Sequence, residues 1–353
     1  MRIAFLGDYN HPNAQSWIQA LKEYGHCEVL TWSLPITENR EGRMSRIMHW
    51  FTSLKNIRRE LKKMKPDLVI AYRITSYGFI GAVSGFHPLV IASQGGMADI
   101  WPLHSLSTPL KKLMARVSLK KADLIHAWGA HIAEAQINLG ADPSKILVLP
   151  RGINLNKFYA SAEPPVNASM QIAVTRSLYP EYSHNVILDA CALLAKNNIP
   201  FTLHIVGTGA EMNNLKAIAS TLGIEAQVIF HGRIPNDKLP ELLRCCDIYT
   251  SVPRTEGVSA SLFEAMACGC YPIVSDLIAY RSLIDDGKNG TLVPLDDSQR
   301  LYEAFRQCWE NPSGRMNARN QNIALVQDKA SIHKNIGIFI SHYEKLIASY
   351  GQG

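Results

Sequence analysis

Short apolar, β-branched runs recur along the chain, separated by longer amphipathic stretches. In the first half the runs are Arg2–Leu6, Val29–Trp32, Leu68–Ala71, Leu89–Ala92, Leu124–Ala127 and Ile146–Leu149. Helical spacing lies between them at Ala14–Tyr24, which Gly25 ends, Arg46–Met64, which Pro66 stops, Leu110–Lys120 and Ile132–Leu139. Strands without polar alternation are buried on both faces, so the pattern predicts a parallel sheet covered by helices. The stretch YASAEPPVNASM, Tyr159–Met170, is small, polar and proline-bearing and reads as a linker.

After it the alternation restarts. Strands are expected at Gln171–Thr175, Thr202–Val206, Val228–His231, Ile248–Ser251 and Tyr271–Val274. The intervening helices are Val186–Lys196, Glu211–Leu222, Leu239–Cys245 and Leu262–Cys268, with a last helix at Ile332–Ser349. Two doubly wound α/β domains follow, with any ligand expected where the strand carboxyl ends face a central cleft.

Composition changes this picture little. The chain of 353 residues is 47% hydrophobic and 19% charged, which suits about two soluble domains. No apolar run reaches the ~18 residues of a membrane span, and the opening MRIAFLG reads as a strand rather than a signal peptide. The seven cysteines have no zinc-ligand spacing and read as reduced, mostly buried thiols. A cytoplasmic protein is expected.

Charge adds more. Of the net +6, residues 1–155 carry 19 Lys/Arg against 11 Asp/Glu, so the front half is basic. Residues 40–65 interleave nine cations with Met48, Trp50, Phe51, Leu54, Ile57, Leu61 and Met64, and a second cluster lies at 111–121. An apolar stripe with a cationic flank predicts docking on an anionic membrane surface, or simply a helix packed on its sheet. Aromatic and basic residues form no stacking platform, so nucleic acid is not expected.

The chemistry concentrates in residues 247–276, DIYTSVPRTEGVSASLFEAMACGCYPIVSD. A strand gives way to a polar loop, and then to a helix whose N-cap suits Ser259 or Ser261. The free N–H groups of Val258–Leu262 and the helix dipole would seat a diphosphate. Glu256 in the loop and Glu264 one turn into the helix can each grip two vicinal hydroxyls, although a capping carboxylate and a solvated helix face explain them too.

This segment resembles the E-x7-E signature of family 4 of the retaining glycosyltransferases. DLIHAWGAHIAEAQINLGADPSKILVLPRGINLNKF, LHIVGTG, FHGRIPNDKLPELLRCCDIYT and LIDDGKNGTLVPLDD resemble the family's other motifs in order. The resemblance implies a GT-B fold, two Rossmann-like doubly wound domains: residues 1–160 on the acceptor side, 161–331 holding the nucleotide sugar, and a helix at 332–353 returning toward the first domain.

It also implies roles. Glu264 would hold the ribose, and Glu256 would contact donor-sugar hydroxyls and the transition state. Arg176 would face the diphosphate as an electrostatic rather than proton-transferring group. A family lysine some eight residues after that arginine is missing; His184-Asn185 stands there, so His184 is either a weaker phosphate donor or an ordinary loop histidine. Gly207 would turn the backbone, and Arg233 and Ile234 would present main chain to the nucleobase. Val258, Ser259, Ala260, Ser261 and Leu262 would line the phosphates. On the acceptor side the candidates are Asn13, Gln15 and Ser16 after the first strand, and Gln94, Gly95 and Asp99 after Leu89–Ala92. No D-x-D occurs, so no metal is expected, and no cofactor beyond a UDP- or GDP-sugar.

The expected activity is transfer of a hexosyl or N-acetylhexosaminyl group from a nucleotide sugar to a glycan or lipid-linked acceptor, in envelope or exopolysaccharide synthesis. A nucleotide-sugar epimerase of the same fold, or a decayed nucleotide-sugar-binding subunit, are the alternatives.

Overall fold

A computed structural model describes residues 1–34, 53, 56–93, 108–235 and 237–351. The chain folds as two compact units, Met1–Arg151 with Ile332–Gly353, and Gly152–Ser331.

The first unit is built on six parallel strands, β1 (Arg2–Leu6), β2 (Glu28–Trp32), β3 (Leu68–Tyr72), β4 (Leu89–Ser93), β5 (Leu124–Ala127) and β6 (Ile146–Val148). Their order is β2-β1-β3-β4-β5-β6. β3 and β4 are buried at every position, as their lack of polar alternation requires. The helix Ile332–Gly351 belongs to this unit. Its Phe339 meets Trp17 edge-on at 4.9 Å, and its Tyr343 hydroxyl meets His126 Nε2 at 3.2 Å, all four side chains being buried. Residues 56–64 are helical, whereas 40–52, 54 and 55 of the expected basic helix lie outside the described residues. The sequence pattern did not anticipate the π-helical turn Arg73–Tyr77 or the helix Gly78–Ser84.

The second unit repeats the architecture with β7 (Met170–Thr175), β8 (Phe201–Val206), β9 (Val228–Gly232), β10 (Ile248–Ser251), β11 (Tyr271–Ser275) and β12 (Thr291–Val293). The order β12-β11-β10-β7-β8-β9, all parallel, is that of the dinucleotide-binding fold. Its winding reverses at β7, which lies between β8 and β10. Helices Ser298–Glu310 and Pro312–Lys329, unread in the sequence, complete it.

The unit begins at Gly152, earlier than the composition break at 160. Ile153 and Phe158 are buried in its core, and Asn167 Nδ2 donates to Asp247 Oδ2 at 3.0 Å. Residues 159–169 run half-buried to exposed along the surface of this unit, with Val166 at 99%, which accounts for their polar composition. Among the described residues, no helix is long and apolar enough to cross a membrane.

Candidate active site

The reversal of winding at β7 leaves a crevice beyond the carboxyl ends of β7 and β10 that no crossover helix fills. Arg176 is the first residue after β7, and Glu256 lies in the loop after β10. Their side chains meet: the Arg176 guanidinium donates through Nη2 to Glu256 Oε2, with only 14% and 12% of the two side chains exposed. Arg176 Nη1 donates to Ser259 Oγ at 3.3 Å, and its Cζ lies 4.7 Å from the centre of the Tyr182 ring. Glu256 also accepts from the Tyr280 hydroxyl at 3.3 Å and from its neighbour Gly257 N–H at 3.0 Å. Burial works against the charge on Arg176, but Glu256, with Tyr249, Tyr280 and Tyr182, outweighs it and raises the pKa. A permanent cation is thus held in a nearly dry place, where its field is least screened.

Local sequence explains why the two loops come together. Gly207 follows β8 at φ +146, and a Cβ there would collide with the Arg176 carbonyl oxygen. A Cβ on Gly209 would collide in the same way with the Leu178 carbonyl oxygen. Both glycines let the turn after β8 lie against the Arg176 loop. Arg254 N–H donates to the Glu181 carbonyl at 3.1 Å, tying the β7 loop to the β10 loop.

The helix Ala260–Cys268 opens on Ser259, whose Oγ accepts from Leu262 N at 3.3 Å, and closes on Gly269 at φ +95. Ser259 is the N-cap; Ser261 stands in the first turn. Leu262 is fully buried and its N–H is already held by Ser259, so of the phosphate-lining positions it has the least to offer a ligand. Val258 and Ala260 pack their side chains against the core. Glu264 is half-buried one turn further on.

His184 is no loop residue. It is the first residue of the helix His184–Lys196 and is buried, with neither ring nitrogen hydrogen-bonded among the described residues. Burial first, and then the Arg176 charge, push its pKa down to about 4, so the imidazole is neutral at physiological pH. It meets Tyr182 edge-on at 6.4 Å, on the same loop that holds Arg176. A neutral imidazole still carries one N–H donor for an anion.

Arg233 is exposed just beyond β9, and Ile234 packs partly against the core. The acceptor-side candidates belong to the other unit: Gln15 and Ser16 are exposed on the helix Pro12–Glu23, whose first turn includes Asn13. Gln94, Gly95 and Asp99 lie outside the described residues. Sequence reading missed Tyr182, Tyr249 and Tyr280. A lone tyrosine in a loop or strand carries no spacing signal, and only the fold brings these three to one arginine.

Two parallel six-stranded Rossmann-like units, one with a caged arginine at its switch point, define the class of double-Rossmann proteins. The family follows from sequence. Residues 2–128 match the model of glycosyl transferase 4-like proteins and residues 162–325 that of group 1 glycosyl transferases; the chain belongs to this glycosyltransferase family.

It is 29% identical over 191 residues to the phosphatidyl-myo-inositol mannosyltransferase of Mycobacterium tuberculosis, covering 53% of this chain and 47% of the relative. It is 27% identical over 183 residues to the UDP-Gal:alpha-D-GlcNAc-diphosphoundecaprenol alpha-1,3-galactosyltransferase of Escherichia coli, covering 47% and 46%. The chain spans about half the length of the curated relatives it matches. The crystal structure of Anabaena HepE with UDP and glucose superposes with a TM-score of 0.78 at 18% identity, covering 98% of this chain and 100% of that one, and shares the fold.

Proposed function

We propose that the chain is a retaining glycosyltransferase that moves a sugar from a nucleotide-sugar donor to a glycan or lipid-linked acceptor of envelope or exopolysaccharide synthesis. The observation that carries this reading is the buried Arg176–Glu256 pair at the reversal of the β7–β12 sheet, beside a serine-capped helix start. In this reading the donor diphosphate draws the Arg176 guanidinium away from Glu256. The freed carboxylate then accepts from sugar hydroxyls, with Tyr280 holding its position, and Glu264 takes the ribose. As the glycosidic bond breaks, negative charge grows on the diphosphate, and Arg176 and the helix N–H groups stabilise it without giving up a proton. His184 takes the part of the missing lysine as a neutral donor. UDP is the first nucleotide to test, because HepE was crystallised with UDP and the Escherichia coli relative is named for UDP-Gal.

The membrane contact belongs to the same reading. On the helix Thr108–Lys121, Leu110 and Leu113 are 60% and 57% exposed beside the exposed Lys112, Arg116, Lys120 and Lys121. Apolar side chains among cations suit an anionic lipid surface, where a lipid-linked acceptor resides. A thermal-shift panel of UDP-, GDP- and ADP-sugars tests the donor, since a ligand at 100 times its Kd adds about 2.7 kcal/mol of stability. Stabilisation by none of them removes the reading.

A further inference from the structure

The first unit has its own switch point, and three unusual features meet there. Its winding reverses at β1, which lies between β2 and β3, so the crevice opens beyond Leu6 and Tyr72. The residue that follows β3 is Arg73, and it adopts φ +81. Glycine or asparagine fills such a left-handed position at little cost, whereas an arginine there is strained. The turn it opens, Arg73–Tyr77, is a π-helix, a rare form that concentrates at functional sites. Even the next residue is adapted to it: a Cβ on Gly78 would stand 2.6 Å from the Arg73 carbonyl oxygen, so glycine is needed there to close the turn. The chain thus breaks two local rules to hold a long cation in this place.

The surroundings point to a ligand. Arg73 is exposed, and its guanidinium makes no hydrogen bond or ion pair among the described residues. The ring of Tyr72, the preceding residue, lies 6.4 Å from Trp128, and the Arg151 guanidinium lies 5.7 Å from the centre of the Trp128 ring. Trp128 is 6% exposed, yet its indole Nε1 has no hydrogen-bond partner among the described residues. A buried donor left unmet is costly unless something supplies an acceptor. Asp8, exposed on the loop after β1, already accepts from Asn10 N–H at 3.2 Å.

We propose that Arg73, with the Tyr72–Trp128 floor and Arg151 beyond it, forms an acceptor subsite that selects acceptors carrying a phosphate or diphosphate. Arginine offers such a group a planar fork of donors, and the buried Trp128 indole N–H offers one more. Arg73 is in this account a specificity-determining residue. The inference rests on the glycosyltransferase reading for the meaning of the ligand, though not for its chemistry.

The test is calorimetric binding to the full chain with three probes: decyl diphosphate for a lipid-linked source, glucose 1-phosphate for a soluble one, and neutral decyl glucoside. One or both phosphate probes bind the wild-type chain, and the tighter of them identifies the source. R73Q weakens that binding roughly 10- to 100-fold, the loss of a charge-assisted hydrogen bond. In R176Q, whose donor diphosphate site is disabled, the Arg73-dependent part of the binding persists. R73G, which removes the strained side chain, leaves Tm unchanged or raises it while binding falls as in R73Q, so failure to fold is not the cause.

The proposal is overturned if neither phosphate probe binds at millimolar concentration, or if R73Q binds them as the wild type does. It is equally overturned if decyl glucoside binds as tightly as decyl diphosphate, if R176Q rather than R73Q abolishes binding, or if R73G lowers Tm. Binding that depends on Arg73 in a chain that no nucleotide sugar stabilises would uphold this subsite and remove the donor reading instead.

Discussion

Replacing Glu256 by glutamine separates the two duties proposed for this carboxylate. Glu256 holds Arg176 through a buried, charge-assisted hydrogen bond, and a diphosphate must compete with it. A hydrogen bond to a charged group is worth about 1.5–3 kcal/mol, so its loss destabilises the unit 152–331 by that order. At roughly 2–4 °C per kcal/mol for 150–250 residues, Tm falls by about 3–12 °C. The same loss frees the guanidinium, and affinity for UDP rises by up to ~100-fold or stays level, because the diphosphate no longer displaces a charged partner. Sugar transfer falls by about 10²–10³, since the group that meets the sugar in the transition state has lost its charge. Arg176→Ala does the reverse: it leaves Glu256 buried beside Tyr280 without its cation, at about 3–5 kcal/mol, and UDP binding is lost. Calorimetric titration of UDP into both variants, alongside thermal melts, gives all of these values. A tenfold or greater loss of UDP affinity in E256Q would refute the idea that the carboxylate and the diphosphate compete for one arginine.

Other expectations follow from the same geometry. Gly207→Ala drives a Cβ against the Arg176 carbonyl at a φ closed to L-residues, so it costs ~2–4 kcal/mol and weakens UDP binding although residue 207 carries no functional group; melts and titration check both. His184 has its pKa lowered in the folded chain, so below pH ~6.5 the unfolded chain binds the extra proton first. Its share of stability, about 3 kcal/mol, is intact above pH 6.5 and is lost as pH falls toward 4, and His184→Gln flattens that part of the Tm-against-pH curve. A UDP diphosphate beside His184 raises its pKa again, so UDP affinity increases from pH 7.5 to pH 5.5 in the wild type and not in His184→Gln. Replacing Leu110 and Leu113 by glutamine reduces sedimentation with phosphatidylglycerol vesicles several-fold and leaves UDP binding unchanged.

The alternation of apolar runs and amphipathic stretches carried most of the fold, because a strand buried on both faces cannot hide its composition. Several elements escaped it, the long helices Ser298–Glu310 and Pro312–Lys329 among them. β12 has three residues, and the turn Arg73–Tyr77 has no periodicity that a helix or strand template detects. The boundary expected near residue 160 differs from the start of the second unit at Gly152, because exposure and linkage leave the same polar signature. Only the burial of Ile153 and Phe158 separates the two. In the candidate site, Ser259 was legible as the start of a helix and Glu256 as a carboxylate of the loop before it, whereas Arg176 was singled out by the family resemblance. That Arg176 and Glu256 touch was not legible, since 80 residues and the strand order β10-β7-β8 stand between the sequence and that contact. The burial of His184 was hidden for a similar reason: an imidazole at a helix start reads the same whether the helix end is wet or dry.

A crystal structure of the chain with UDP bound bears most directly on the reading as a whole. The diphosphate is expected within hydrogen-bonding distance of the Arg176 guanidinium and of the main-chain N–H groups around Ser259 and Ala260, with the Arg176–Glu256 contact opened. A nucleotide seated elsewhere, with Arg176 still closed on Glu256, would contradict it.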